Sequence, residues 1–173
     1  GVIWNWQCRF DNVIVRSITA PCIPNVLFYD NFSDDLSQWS VHSGTWTIEN
    51  RELKGIGAGG GVDGWIYAGN STWTDYALST RVNFDSGNAE LVVRSTGHWQ
   101  NEYRIGLWSQ NSSQEPNQYR VGRFKNGGYT TLATGNAPVS ITDPADARVE
   151  VAGNVLTLYI NGTLITRITA VSY

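Results

Sequence analysis

Apolar residues along this chain alternate with polar ones or form short blocks, and no stretch repeats them every three or four positions as a helix would. Clusters of Gly, Asn and Asp separate the blocks, which is typical of all-β chains. The pattern therefore predicts an all-β fold of two packed sheets. The predicted strands cover residues 3–16, 26–32, 45–49, 52–56, 64–69, 73–84, 89–96, 101–108, 117–124, 129–133, 146–152, 155–160 and 163–169.

The clearest turn signals lie near the end of the sequence. Gly153-Asn154 and Asn161-Gly162 are two-residue turns between segments of alternating polarity, the strongest short-range sign of a hairpin. They predict a meander of three strands. The Gly-rich stretch 57–64 is followed by a strand pattern rather than a helix, so we interpret it as an inter-strand loop and not as a phosphate cradle.

Length and charge indicate how many domains to expect and which classes of partner to exclude. The 173 residues suit one domain, and a formal net charge of -3 with scattered Arg residues gives no basic stripe for nucleic acid. Nucleic acid is therefore not an expected partner. No run of eighteen apolar residues occurs, so we expect no membrane span.

Several features favour an extracellular, secreted protein. Methionine is absent, including at position 1, which favours a processed chain or a fragment of a longer one. Cys8 and Cys22 are fourteen residues apart and flank a strand. We expect a disulfide between them that fixes the strand to the following linker, with two free thiols as the alternative. Four sequons for N-glycosylation are compatible with secretion, although chance alone accounts for two or three. They begin at Asn31, Asn70, Asn111 and Asn161.

Four motifs occur in one order along the chain. They are D-x-F-x-x-x-L-x-x-W at 30–39, G-T-W at 44–46, W-T-D-Y at 73–76 and the hairpin pattern at 151–164. In these motifs the chain resembles the laminin-G-like, concanavalin A-like lectin/glucanase jelly rolls. The resemblance covers nearly the whole chain and implies a jelly-roll sandwich of two antiparallel sheets.

The same resemblance implies a permuted strand order. In that family the last strand follows the hairpin with a glycine, an apolar-Trp stretch and an F-D-N segment. Here the matching segments, GVIWNW and FDNVIV, lie at residues 1–6 and 10–15. We therefore expect residues 1–17 to be a displaced last strand, 18–25 a linker and 26–173 the remaining jelly-roll sandwich.

Three arrangements would give this strand order. The strand could insert into its own sandwich, it could complete a neighbour's sheet by β-augmentation, or the chain could be cut from a tandem array. We favour donation, which builds a head-to-tail homopolymer because such a contact does not close, and hence an extracellular structural or adhesive filament subunit. The predicted assembly residues are Ile3, Trp4, Trp6, Phe10, Val13 and Val15.

The alternative function is a monomeric, circularly permuted carbohydrate-binding module. Sugars stack on aromatic rings while polar side chains fix their hydroxyl groups. The resemblance implies that Arg94 and Tyr103 line the concave sheet, whereas the simpler interpretation packs these aromatic residues between the sheets. The candidate glycan-binding residues are Arg94, Trp99, Tyr103, Trp108, Tyr119 and Arg120.

Catalysis and metal binding have weaker support. The glycosidases of this fold use an E-x-D-x-E strand motif, which is absent here, so we predict no enzyme activity and rank a glycoside hydrolase third. We interpret Asp85 and Glu90 as solvated turn acids. The resemblance implies a weak Ca²⁺ site at Asp11 and Asp30, with turn capping as the alternative role of these acids.

Overall fold

The computed structural model describes residues 7–18, 25–57, 63–97 and 99–169. Within these ranges all regular structure is β, and every predicted strand has a counterpart; Ser40–Ser43 is a strand that the pattern did not predict. The strands are β1 (Gln7–Ser17), β2 (Val26–Asp30), β3 (Ser40–Ser43), β4 (Thr45–Glu49), β5 (Glu52–Ile56), β6 (Trp65–Tyr67), β7 (Tyr76–Ser86), β8 (Asn88–Val93), β9 (Asn101–Trp108), β10 (Gln118–Lys125), β11 (Gly128–Asn136), β12 (Ala145–Ala152), β13 (Val155–Ile160) and β14 (Thr163–Thr169).

One layer is an eight-stranded sheet in the order β14-β13-β12-β7-β1-β5-β4, with β2 paired to β1. The predicted three-strand meander is its β12-β13-β14 end. Burial alternates along β12, where Ala145, Ala147, Val149 and Val151 are buried and their neighbours are more exposed. This alternation is expected of an antiparallel sheet with one face on the core.

The second layer is a four-stranded sheet in the order β11-β10-β9-β8, accompanied by the two-stranded β3-β6 ribbon. All the strand pairs are antiparallel. The core fills the space between the layers, as in other sandwiches. Its fully buried members include Leu53, Val82, Ile105, Leu107, Val121, Val149, Leu156 and Leu158.

Strand β1 lies in the middle of its own chain's sheet. It pairs with β7 along one edge, and along the other edge it pairs first with β5 and then with β2. Asn12, with a φ of 51°, lies where the register with β7 shifts between Asp11 and Ile14. This left-handed residue is the bulge that lets one long strand serve both neighbours.

The position of β1 corrects the interpretation of strand donation. Phe10, Val13 and Val15 are buried in the core of their own chain. This is the arrangement expected of self-insertion, so the filament and its strand-donating subunit are not supported. Ile3, Trp4 and Trp6 lie outside the described residues.

The motif at 30–39 has a local structural role. The Asp30 carboxylate accepts hydrogen bonds from the Phe32 backbone N–H at 2.7 Å and from the Trp39 indole Nε1 at 2.7 Å. The Trp39 ring in turn packs edge-on against Phe28, with ring centroids 5.3 Å apart. Asp30 therefore fixes the turn after β2, which agrees with turn capping as the alternative to a Ca²⁺ ligand.

Gly55 is expected to tolerate no side chain. An added Cβ would lie 2.5 Å from the Trp46 ring, and that ring is held by a 2.9 Å hydrogen bond from its Nε1 to the Ser43 carbonyl. Gly55→Ala should therefore lower the free energy of unfolding by about 1–3 kcal/mol in urea denaturation. Gly135→Ala is the matched control, because its Cβ would approach nothing closer than 3.9 Å. Equal effects of the two substitutions would contradict this packing.

Candidate functional site

Strand β9 is buried on both faces. Its burial runs without interruption from Glu102 to Trp108. Tyr103, Ile105 and Leu107 belong to the core between the sheets. Because side chains alternate along a strand, Glu102, Arg104 and Trp108 point to the opposite, outer face. Polar and aromatic groups must therefore cover that face, and they form the candidate site.

The centre of the outer face is an ion pair with aromatic neighbours. The Arg104 Nε donates to Glu102 Oε1 at 2.7 Å. The guanidinium carbon of Arg104 lies 3.9 Å from the ring centroid of Trp65 on one side and 4.3 Å from that of Phe124 on the other. Such cation–π contacts add to the ion pair, so Arg104 has a fixed orientation.

Glu102 collects further hydrogen bonds. Its Oε2 accepts from the Ser95 hydroxyl at 3.1 Å and from the Tyr67 hydroxyl at 3.4 Å. Burial and the neighbouring Glu102 charge raise the pKa of Tyr67 well above its usual range. Tyr67 therefore keeps its proton at all physiological pH values and acts here as a donor.

An aromatic stripe continues outward from this centre. The Trp99 ring stacks on Phe124 with centroids 6.2 Å apart and an interplanar angle of 7°, and Phe124 contacts Tyr129 at 4.9 Å. Trp99 is 55% exposed and Tyr129 is 47% exposed. Trp99 also has a φ of 58°, an uncommon backbone conformation for a bulky residue. The stripe is thus a solvent-facing aromatic platform.

Trp108 and Arg120 form the other end of the outer face. The Arg120 guanidinium lies 5.1 Å from the Trp108 ring centroid and pairs with Glu115 at 3.0 Å. Gly106 makes room beside them, since a Cβ there would lie 3.0 Å from the Trp108 ring. The Trp108 ring therefore covers the glycine, and a larger residue at position 106 would displace it.

Glu90 corrects the interpretation of a solvated turn acid. It lies within β8, and its Oε2 atom is buried with no hydrogen-bond partner among the described residues. Burial raises the pKa of the Glu90 carboxyl from its ordinary value to about 7, although the positive charge of Arg104 opposes the rise. Buried carboxyls with perturbed pKa values concentrate at functional sites.

A cleft of about 1160 Å³ opens beside these residues. Its polar and aromatic lining includes Trp65, Tyr67, Glu90, Trp108 and Arg120. Apolar residues of the eight-stranded sheet, such as Phe10 and Leu53, and further polar residues, such as Asn88 and Glu115, complete the lining. A mainly apolar concavity with a few convergent polar groups is the usual form of a small-molecule or sugar site.

Three of the six predicted glycan-binding residues lie on the outer face: Trp99, Trp108 and Arg120. Tyr103 and Tyr119 do not, because both pack toward the core. Arg94 is engaged elsewhere, donating to the Thr74 carbonyl at 2.7 Å and to the Gly153 carbonyl at 2.7 Å, so it ties together loops at the end of the sandwich.

The sequence reasoning missed Trp65, Glu90, Arg104 and Phe124. Arg104 lies in β9, where both faces are covered and burial is continuous, so no apolar alternation marks the outer side. The available signal is that Arg104 and Gly106, and likewise Arg120 and Gly122, are two positions apart and so share one face of a strand. It identifies polar groups on a strand but does not say what faces them.

The remaining predicted sites have simple structural surroundings. Cys8 forms no disulfide within the described residues, and Cys22 lies outside them, so the disulfide stays a prediction. Burial, assisted by the charge of Asp85, raises the pKa of the Cys8 thiol to about 12.

Among the predicted sequons, Asn161 is held in its turn, where its Oδ1 accepts a hydrogen bond from the Asp146 N–H at 2.9 Å. The sequons at Asn31, Asn70 and Asn111 also stay predictions.

The described ranges hold no cluster of three or more His, Cys, Asp or Glu residues arranged to bind a metal ion. At Asp11, one of the two predicted Ca²⁺ ligands, the backbone carbonyl accepts a hydrogen bond from the Thr80 hydroxyl at 3.0 Å. The part of the chain that the structure describes also has no helix long and apolar enough to cross a membrane.

The chain is similar to a known protein family and to individual known proteins. A family model described as "3-keto-alpha-glucoside-1,2-lyase-like domain" matches residues 25–173. An extracellular exo-alpha-L-arabinofuranosidase of Streptomyces chartreusis is 28% identical over 166 residues, which are 92% of this chain and 18% of that protein. The carbohydrate-binding module CBM66 from Bacillus subtilis has a TM-score of 0.63 at 18% identity, covering 79% of this chain and 81% of that one. The last likeness confirms the prediction of a concanavalin A-like jelly-roll sandwich.

Proposed function

We propose that this chain, which belongs to the 3-keto-alpha-glucoside-1,2-lyase-like domain family, is a non-enzymatic, extracellular carbohydrate-binding module. It acts as a monomer, and it binds glycans on the outer face of the four-stranded sheet. The sequence analysis gives this function as the alternative to a filament subunit. It replaces the filament subunit, since β1 completes the chain's own sheet.

One observation carries this proposal: the platform that runs from Trp65 through Arg104 and Phe124 to the exposed Trp99. Aromatic rings offer flat apolar surfaces for the C–H faces of a sugar ring. Trp99 keeps its ring on this platform despite a left-handed backbone. Strained conformations of this kind concentrate at functional sites.

The relatives agree with this proposal. The chain spans 18% of the length of the arabinofuranosidase relative, as expected of one module in a larger extracellular enzyme. That relative's name directs the first binding tests to glycans containing L-arabinofuranose. The fold relative is itself described as a carbohydrate-binding module.

The permuted strand order forms part of the proposal. The family model matches residues 25–173 and leaves out the segment that contains β1, although β1 lies in the middle of the eight-stranded sheet. A central strand outside the matched region is what a strand moved from the end to the beginning of the sequence would produce. The strand then returns to its sheet in cis.

A second candidate function is a lyase that acts at the same cleft. The family description names a 1,2-lyase, and Glu90, with a pKa of about 7, is suited to accept a proton near neutral pH. Elimination across C1 and C2 of a 3-keto-glucoside removes the C2 proton and expels the C1 substituent. Release of that substituent, lost in Glu90→Gln, would favour the lyase over the binding module.

A glycan array tests the proposed function directly. We expect the wild-type chain to bind a defined set of neutral glycans, and Trp99→Ala to weaken that binding about tenfold because a stacking surface is lost. Tyr29→Ala is the matched control, because Tyr29 is 48% exposed on β2 in the other sheet. Silence of the wild-type chain on the whole array, or equal losses in the two variants, would contradict the proposal.

A further inference from the structure

Glu90, Gly106 and Arg120 form one row across three strands. Glu90 pairs in register with Gly106, and Gly106 pairs with Arg120. The central glycine has no side chain, and an added Cβ would lie 3.0 Å from the Trp108 ring, so a carboxylate and a guanidinium flank a position that this ring covers. Arg120 is already paired with Glu115 at 3.0 Å.

The Glu90 carboxylate has unused acceptor capacity inside the cleft. Its Oε1 accepts from the Asn88 amide at 3.4 Å, a long contact, and its Oε2 is buried without a partner in the described ranges. A buried acceptor without a donor is costly, because the loss of its hydration is not compensated. A ligand that brings a hydroxyl donor to Oε2 recovers that cost on binding.

On the basis of the proposed glycan-binding function, we propose that Glu90 is the charge-selecting residue of this site, so that the cleft takes neutral sugars and rejects uronic acids. A neutral sugar donates a hydroxyl to Oε2 in the cleft that Glu90 and Trp108 line. A sugar carboxylate would place a second negative charge in the same poorly hydrated space, where like charges repel strongly.

The other charges that face Glu90 do not reverse this selection. Arg104 faces it from β9 and Arg120 from β10, but each is paired with a carboxylate of its own. Asp63, just before β6, adds a negative charge. The protonated Tyr67 on β6 and Cys8 on β1 complete the surroundings. The acids Glu90 and Asp63 have no ion pair in the described part of the chain.

The preference for neutral over anionic sugars should increase with pH. Since burial raises the pKa of Glu90 to about 7, its carboxyl is mostly neutral at pH 5.5 and mostly ionised at pH 8.5. A neutral carboxyl does not repel a sugar carboxylate. The preference for neutral over anionic sugars should therefore be weak at pH 5.5 and rise at least tenfold by pH 8.5.

Galactan and amylose are suitable probes, each tested before and after oxidation of its primary hydroxyl groups to carboxylates. Affinity is measured by isothermal titration at pH 5.5 and pH 8.5 for the wild type and for Glu90→Gln. The expected result is a preference for the unoxidised glycan that grows with pH in the wild type and is small and constant in Glu90→Gln. Glu150→Gln, an acid paired with Arg148 on the other sheet, should behave like the wild type.

The outcomes separate the two proposals. If Glu90→Gln keeps the wild-type preference, or if the wild-type preference does not change with pH, charge selection by Glu90 is wrong while glycan binding stands. If the wild type binds no glycan in either form, the proposed function is wrong and charge selection falls with it. Circular dichroism of each variant confirms that the fold is retained.

Discussion

Replacing Arg104 by alanine is expected to lower the free energy of unfolding by about 3–5 kcal/mol, because it leaves a buried carboxylate unpaired. The Glu102 side chain is fully buried and the Arg104 side chain is 9% exposed. The substitution also removes the cation that lies between Trp65 and Phe124. Urea denaturation of the two proteins measures the difference.

A surface ion pair provides the control for this prediction. Arg148→Ala removes the partner of Glu150 on the outer face of the eight-stranded sheet, where the Arg148 side chain is half exposed. Exposed pairs contribute about 0–1 kcal/mol, so this variant should remain close to the wild type. An Arg104→Ala loss no larger than that of Arg148→Ala would contradict the buried pair at the centre of the site.

Replacing Phe10 by alanine should cost about 3–5 kcal/mol, the range for removing a buried aromatic side chain from a core. Phe10 is 7% exposed, and its neighbours in β7 and β5, Val82 and Leu53, are fully buried. Ile14→Ala is the control, because Ile14 lies after the Asn12 bulge and is less buried. Thermal or urea denaturation compares the variants.

Concentration dependence distinguishes self-insertion from strand exchange in the same experiment. When β1 completes its own sheet, the unfolding midpoint of the wild type does not depend on protein concentration. An oligomer held by exchanged strands would instead become more stable as the concentration increases. A midpoint that rises with concentration would restore the filament interpretation, and a small Phe10→Ala effect would remove β1 from the core.

The strand pattern was predictable because one-sided burial leaves a period of two in the sequence. In β12 the buried and exposed positions alternate without a break. In β9 no such alternation occurs, since both faces are covered and burial is continuous. Tyr103 lies in the core between the sheets, as the simpler interpretation expected, and not on the face that we propose binds glycans. In a doubly covered strand, residue type does not say which face is the core.

The partner of β1 was not predictable from its own sequence. A strand with Phe10, Val13 and Val15 on one face needs an apolar surface, and a surface in its own chain or in a neighbour satisfies that need equally well. The decision depends on pairing with β7, whose residues lie about seventy positions away. The Asn12 bulge, which lets β1 serve both β5 and β2, also follows from this pairing.

The site was predicted only in part because its geometry joins distant segments. Trp99, Trp108 and Arg120 could be recognised as aromatic and basic residues in the middle strands. Trp65 could not, because it belongs to the separate β3-β6 ribbon and meets Arg104 only in the folded molecule. The burial of Glu90 likewise depends on its surroundings, and the adjacent turn suggested a solvated acid.

The most direct test of the account is hydrogen–deuterium exchange of the chain with and without a glycan that binds on the array. We predict that protection on binding is concentrated in β9, β10 and the Trp65–Tyr67 strand, with little change in β12 to β14. Protection of the outer face of the eight-stranded sheet instead, with β9 and β10 unchanged, would contradict the claim that the four-stranded sheet binds the sugar.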